Sequence, residues 1–232
     1  VETAKKLSQS VGYDIDFFVQ GSAKELADII QTNQLDVQFV ISTDTIEHVS
    51  DLDEMMHELR RINKQLKIVF TTASNPKNHY KVRRLRKVMQ NDENQNILPL
   101  RRAYVAEKFS DLDDTLVDQL AVNSRGLKYD QLDEFVHYFL KHQRMQKVDV
   151  DKFNCCEPVF GTWTERVLPL CDYKKLGDKN QFELVISNMF YAVNDKSGVK
   201  KIIARFMNYF VLHLPQVGRF FSPSILLEYR SK

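Results

Sequence analysis

The sequence predicts an α/β fold with a mostly parallel sheet that is interrupted by a helical insert. In residues 1–77, apolar segments of strand length alternate with amphipathic segments of helical period. Residues 78–150 contain helical patterns and no strand signal, and residues 151–232 return to strand, helix and strand. We therefore expect a sheet-forming core at 1–77, a helical insert at 78–150, and a carboxyl-terminal part at 151–232 that completes the core.

The first elements are bounded by glycines. Residues 1–9 have helical spacing without a breaker, and Gly12 ends that helix. The apolar run Ile15–Gln20 predicts a strand, which Gly21 closes. Ser22 then stands three residues before Glu25, the spacing of a capping box, so a second helix is predicted to begin there.

Two more strands with a helix between them complete the first part. Residues 35–43 predict a strand that is apolar on both faces at Val37–Ile41 apart from one glutamine, as buried parallel strands are. Ser50–Ile62 has one apolar helical stripe, and residues 66–74 predict the third strand. Long crossovers between successive strands favour parallel pairing, and parallel sheets bind ligands at the carboxyl ends of their strands.

The last part of the chain predicts two strands and an apolar helix between them. Residues 182–193 read as a strand, and Val199–Leu214 reads as a helix with a wide apolar surface. Burial in the core is the first interpretation of that helix, and a dimer or membrane-surface contact is the alternative. Residues 222–232 predict a final strand at an antiparallel edge of the sheet.

Composition excludes several classes of protein. The 232 residues are 43% hydrophobic and carry a net charge of +2, which does not indicate nucleic acid as a partner. The basic helix Tyr80–Lys87 is interpreted as a solvated face, since Tyr80 is its only aromatic residue. Three cysteines form neither a disulfide framework nor a zinc motif, which predicts a cytoplasmic protein without a metal site of that kind. No apolar run is long enough to span a membrane.

Three ionisable residues are crowded where the strand at 35–43 ends. Asp44, Glu47 and His48 lie within five positions, at the strand end where parallel sheets place their chemistry. They are the candidate catalytic residues. On the structural interpretation, Asp44 caps the turn while Glu47 and His48 begin a solvated helical segment.

The same stretch resembles a known family. The pattern D-x-x-E-H at Asp44–His48, with the helix ending in "ELRRI" and the strand "KIVFTTASNP", is similar to the centre of class I S-adenosylmethionine-dependent methyltransferases. "FFVQGSAKEL" resembles the adenine-side loop of that family. "TTASNPKN", "LAVNSRGLKYDQLDEFVHYFL", "CCEPVFGTWTERVLPLCDYKKL" and "MFYAVND" resemble a bacterial subgroup with a helical insert. The resemblance implies a Rossmann-like methyltransferase sheet and S-adenosylmethionine as the cofactor.

Site roles follow from that resemblance. The residues implied on the cofactor side are Gly21, Ser22, Ala23, Ser42 and Thr43. The resemblance places Asp44 between cofactor and acceptor. It makes His48 either the base that deprotonates the acceptor or a metal ligand together with Glu47.

A loop beyond residue 150 supplies candidate acceptor-binding residues. It holds the only tryptophan, Trp163, close to Glu165 and Arg166. An aromatic ring beside charged groups is typical of a wall that binds a sugar or another small molecule. The alternative is that Trp163 anchors the helical insert to the core.

One departure from the family pattern leaves two functions open. None of the seven glycines forms a G-x-G spacing, so the family's glycine-rich loop and first strands would have to precede residue 1. We expect either a methyltransferase for a small-molecule or sugar-like acceptor, or a non-catalytic binding module with an incomplete cofactor site. A sheet of about five strands with an exposed central edge would favour a homodimer.

Overall fold

The structure, a computed structural model, describes all residues from 1 to 232. It contains ten α-helices, six strands, a 3₁₀ turn at Ala23–Glu25 and a π-helical turn at Glu93–Ile97. The helices are α1 Glu2–Val11, α2 Leu26–Thr32, α3 Leu52–Ile62, α4 His79–Asp92, α5 Leu98–Lys108, α6 Asp114–Asn123, α7 Tyr129–His142, α8 Leu170–Lys179, α9 Gly198–His213 and α10 Pro215–Gly218. The strands are β1 Phe39–Thr43, β2 Lys67–Thr72, β3 Cys155–Cys156, β4 Trp163–Glu165, β5 Phe182–Asn188 and β6 Ile225–Ser231.

The main sheet has four strands in the order β1-β2-β6-β5. β1 pairs with β2 in parallel, whereas β6 is antiparallel to both β2 and β5. The predicted α/β class is therefore confirmed, but a mostly parallel sheet is not, because two of the three pairings are antiparallel. β1, β2 and β5 nevertheless run in the same direction, so their carboxyl ends lie at the same end of the sheet.

One face of this sheet carries the main hydrophobic core. Ile68 and Phe70 of β2 and Leu227 and Tyr229 of β6 are buried in a single cluster with residues of α3 and α8. α3 begins where the Asp51 carboxylate accepts a hydrogen bond from the Glu54 amide at 2.9 Å. Its apolar stripe, Leu52, Met55, Met56 and Leu59, then packs into the cluster, as the helical period predicts.

Two sequence predictions about strands are wrong. Ile15–Gln20 forms no strand, because no other strand lies beside it to accept its hydrogen bonds. The last strand is antiparallel as predicted, but β6 lies between β2 and β5 instead of at an edge. β1 and β5 are the two edge strands, and on β1 the side chains of Phe39 and Ile41 are 49% and 65% exposed.

Residues 78–150 contain the helices α4 to α7 and no strand, and this segment has its own core. Val105, Leu120 and Phe135 belong to a second buried cluster, which gathers residues of α5, α6 and α7. Arg101 is fully buried there, where it forms an ion pair with Glu93 and donates from Nε to the Ala121 carbonyl at 3.0 Å. Such a pair persists in a core only when its hydrogen bonds are satisfied.

The predicted burial of the apolar helix near the carboxyl end is wrong. Along α9, the residues Val199, Ile202, Ile203, Phe206 and Tyr209 are each more than half exposed. Only Ala204 and Val211 of this helix are buried. None of the helices combines the length and the apolar character that crossing a membrane requires.

Candidate functional site

Asp44 joins the carboxyl ends of β1 and β2. Its backbone lies in the left-handed region with φ of 47°, which Asp tolerates better than most residues. Its amide donates to the Thr71 carbonyl at 2.9 Å, and its Oδ1 accepts from the Ala73 amide at 3.1 Å. The carboxylate is exposed and bonds across the strand ends to Ala73, not to the turn that follows Asp44.

Glu47 lies in the turn that follows, and its environment is unusual. The residue is only 1% exposed, and its Oε2 has no hydrogen-bond partner. Burial raises the pKa of the Glu47 carboxyl, against the opposing effects of its own backbone amide and the Thr72 hydroxyl. The solvated helical position considered for Glu47 is therefore wrong. A buried carboxyl oxygen without a partner carries a substantial desolvation penalty, so its presence in a fold requires an explanation.

His48 is fixed in orientation by the short strand β4. The His48 carbonyl accepts from the Trp163 amide at 3.1 Å, and the His48 Nδ1 lies 2.9 Å from the Trp163 carbonyl oxygen. Because a carbonyl can only accept, Nδ1 must carry the hydrogen of this bond. The neutral imidazole then keeps its lone pair on Nε2, where it can accept a proton or bind a cation.

Glu165 completes a cluster that the sequence did not predict. The hairpin formed by β3 and β4 places Glu165 so that it, Glu47 and His48 each bring one ligand atom within 4.8 Å of the others. The Glu165 Oε2 accepts from the Ser74 hydroxyl at 2.8 Å. The sequence placed Glu165 on the acceptor side, separate from Glu47 and His48, whereas the structure brings the three together.

Two further buried polar groups lie in this neighbourhood. Arg166 Nε and the Tyr173 hydroxyl are buried without partners, although Arg166 Nη2 donates to the Val49 carbonyl at 2.8 Å. Burial raises the pKa of the Tyr173 hydroxyl, and the charges of Glu47 and Glu165 raise it further. Burial also lowers the pKa of Arg166. Three of the five unpartnered buried side-chain atoms in the protein therefore belong to this one region.

A cavity of about 740 Å³ lies on the side of Trp163 and Arg166. Its lining includes Asp149, Asp151 and Asn154, so polar groups are available to a bound molecule. The lining of this cavity does not include Asp44, Glu47 or His48. The connection to the cluster is Trp163, which is a lining residue of the cavity and contacts His48 through its backbone.

The residues implied on the cofactor side are less clearly assembled. Ser42 is half-buried and Thr43 is exposed on β1 beside the open edge. The amide and the hydroxyl of Ser22 both donate to Glu25 Oε2 at 2.8 Å, so the predicted capping box is formed. The Ser22 amide is therefore not free to bind a ligand. Gly21 and Ala23 flank it, and Ala23 packs against the main core.

Sequence reasoning missed the groups that support the cluster. Thr72 ends β2 and Ser74 lies just after it, as Asp44 lies just after β1, and the rule about carboxyl ends of parallel strands would have found them. Nothing in the sequence around Tyr173 indicates a site, since its ring falls on the apolar face of α8. Comparisons of the chain with protein-family models, curated protein sequences and solved structures find no match.

Proposed function

We propose that the chain is an S-adenosylmethionine-dependent methyltransferase that acts on a small-molecule or sugar-like acceptor. The observation that carries the proposal is the convergence of Glu47, His48 and Glu165 just beyond the carboxyl end of β1. This is the position to which the sequence resemblance assigns the acceptor chemistry. The proposal also includes a Rossmann-like methyltransferase sheet, which the shared direction of β1, β2 and β5 supports.

The cavity beside the cluster supports the acceptor class. About 740 Å³ is within the usual range for small-molecule sites. The Trp163 ring and the Arg166 guanidinium, which lies 5.1 Å from the ring centroid, offer stacking and charge. The carboxylates and the amide of Asp149, Asp151 and Asn154 offer hydrogen bonds to hydroxyl groups. An aromatic wall facing polar groups suits a sugar-like acceptor.

The chemistry assigned to this chain is proton removal from the acceptor. S-adenosylmethionine supplies an activated methyl group, and the acceptor must present a lone pair to it in line. Nε2 of His48 is the group that accepts the acceptor proton, because Nδ1 is engaged with the Trp163 carbonyl. That carbonyl and the neighbouring Glu47 and Glu165 carboxylates stabilise the imidazolium that forms.

The cofactor side fits S-adenosylmethionine only in part. Ser42 and Thr43 are placed along the open β1 edge, where a ligand could lie against them. The Gly21–Ala23 loop does not offer its Ser22 amide, which is bonded to Glu25. The acceptor side of the site is thus better formed within residues 1–232 than the cofactor side.

That imbalance favours a second function, a non-catalytic binding module with the same fold. Its supporting observations are the occupied Ser22 amide and the structural bond from Ala73 to Asp44. In such a module, Asp44 would only close the strand ends, and the cavity at Trp163 would bind its ligand without methyl transfer.

Calorimetric titration with S-adenosylhomocysteine separates the two functions. We expect saturable binding that Asp44→Ala weakens at least tenfold. Asp44→Asn keeps an oxygen for the Ala73 amide and tolerates the positive φ, so it tests the charge alone. Asp36→Ala is the matched control, because Asp36 is exposed and lies three residues before β1, away from the strand end that carries Asp44. Absence of binding, or equal binding by the Asp44 variants, would reject the methyltransferase and leave the binding module.

A further inference from the structure

We infer that Glu47, His48 and Glu165 bind one divalent transition-metal ion. A role of the ion in methyl transfer depends on the proposed function, whereas the ion-binding site itself is inferred from the geometry alone. The three side chains come from two separate parts of the chain, the turn after β1 and the hairpin strand β4. Each brings one ligand atom within 4.8 Å of the others.

The spacing is compatible with a shared ion. Bonds of about 2.0–2.2 Å from a metal to oxygen and nitrogen place neighbouring ligand atoms roughly 3–4 Å apart in a tetrahedral or octahedral site. Ligand atoms that already lie within 4.8 Å of one another therefore need only a small further approach, of the kind that side-chain rotation provides.

The second observation is the unpartnered oxygen of Glu47. This residue is 99% buried, yet its Oε2 has no hydrogen-bond partner, and it lies in the cluster with Glu165. None of the ion pairs in the protein includes Glu47, Glu165 or Arg166. Two carboxyl groups this close need either a cation or a shared proton.

The surrounding groups orient the ligands as metal sites require. Ligating histidines usually donate their other ring nitrogen to a carbonyl or carboxylate, which fixes the ring and the tautomer. His48 does this through Nδ1 to Trp163, and the Ser74 hydroxyl holds Glu165 by donating to its Oε2. The Arg166 guanidinium does not neutralise the cluster, because it donates to the Val49 carbonyl and lies against the Trp163 ring.

The ligand set indicates the class of ion. One imidazole and two carboxylates suit Mn²⁺, Fe²⁺, Co²⁺ or Zn²⁺ better than Ca²⁺ or Mg²⁺, which prefer oxygen ligands alone. Three protein ligands leave coordination positions open, as in catalytic sites. His48 and Glu165 are half-buried, so an acceptor hydroxyl could reach the ion from their side. A hydroxyl bound to a cation loses its proton more readily, so in the ion-loaded site the ion, and not Nε2 of His48, activates the acceptor.

The test titrates the chelator-treated chain with Mn²⁺ in the absence of any methyl donor, with free Mn²⁺ followed by electron paramagnetic resonance. We expect one ion per chain, displaced by Zn²⁺, and at least tenfold weaker binding in Glu47→Gln and in Glu165→Gln. Glu183→Gln is the matched control, because Glu183 is exposed on β5. Since the titration contains no methyl donor, failure to bind S-adenosylhomocysteine and failure to bind the ion are separate results.

If a variant folds poorly, a measurement on the wild-type chain still locates the ion. Trp163 is the only tryptophan and its backbone contacts His48, so bound Co²⁺ should quench the tryptophan fluorescence in a saturable way. Absence of stoichiometric binding would overturn the inference. So would bound Co²⁺ that leaves Trp163 unquenched, or equal affinity in the double variant Glu47→Gln/Glu165→Gln. The shared proton would then be the explanation for the paired carboxyl groups.

Discussion

Strands β1 and β2 are neighbours in one sheet and have similar apolar sequences, but their surroundings differ. Phe70 of β2 is 3% exposed, because α3 and α8 cover its face and strands pair on both sides of it. Phe39 of β1 is 49% exposed, on the opposite face and at an unpaired edge. The comparison teaches that an apolar strand sequence does not by itself secure burial, which depends on the elements that cover the strand.

The largest expected effect tests the difference in burial between the two phenylalanines. Phe70→Ala should lower the free energy of unfolding by about 3–5 kcal/mol, because it removes a ring from a close-packed core. Phe39→Ala, the matched change on β1, should cost less than about 1 kcal/mol, since its ring is already half in water. Urea denaturation followed by circular dichroism measures both values. Equal losses would show that the β1 face is covered in solution.

The second effect concerns the open edge itself. β1 presents unpaired backbone groups next to Ile41, which is 65% exposed, so we expect the chain to form a homodimer through this edge. Ile41→Lys should weaken self-association at least tenfold in sedimentation equilibrium, because a charged lysine on an edge strand opposes pairing. Val122→Lys is the control, since Val122 is 56% exposed but lies on α6. A wild-type chain that sediments as a monomer would contradict this prediction.

The smallest expected effect concerns an ion-pair cluster on the face of the sheet that does not carry the main hydrophobic core. The Glu228 carboxylate of β6 accepts from Arg230 and pairs with Lys67 of β2, and these bonds lower its pKa to about 2. A depressed carboxyl pKa contributes stability above the unfolded value of about 4.5, and that contribution is lost as pH falls toward 2. The contribution should be under about 1 kcal/mol, because the pair is near the surface.

The measurement is the difference in unfolding free energy between wild type and Glu228→Gln from pH 6 to pH 2.5. The difference should be constant above pH 5 and should shrink steadily below about pH 4.5. Added salt should reduce it, in contrast to the Phe70 effect, which depends on apolar packing. A difference that does not change across this range would show that the carboxylate has no depressed pKa.

The candidate site repeats the lesson of the two strands. The crowding of Asp44, Glu47 and His48 at a strand end could be predicted from the sequence, because the strand-to-turn transition is local. Whether each side chain would be buried could not be predicted. Asp44 is exposed and bonded to the Ala73 amide, whereas Glu47, three residues later, is buried without a partner for Oε2. Elements distant in sequence, β4 and α8 among them, decide that difference.

Features that depend on neighbouring residues could be predicted from the amino-acid sequence alone. The end of α1 at Gly12, the Ser22–Glu25 capping box and the helical character of 78–150 follow from backbone conformation, capping and period. Three other features became known only from the folded chain: residues 15–20 form no strand, β6 lies inside the sheet, and Glu165 joins Glu47 and His48. Sheet order and burial arise from contacts between residues far apart in the chain, and a local pattern of apolar and polar residues does not encode which partners meet.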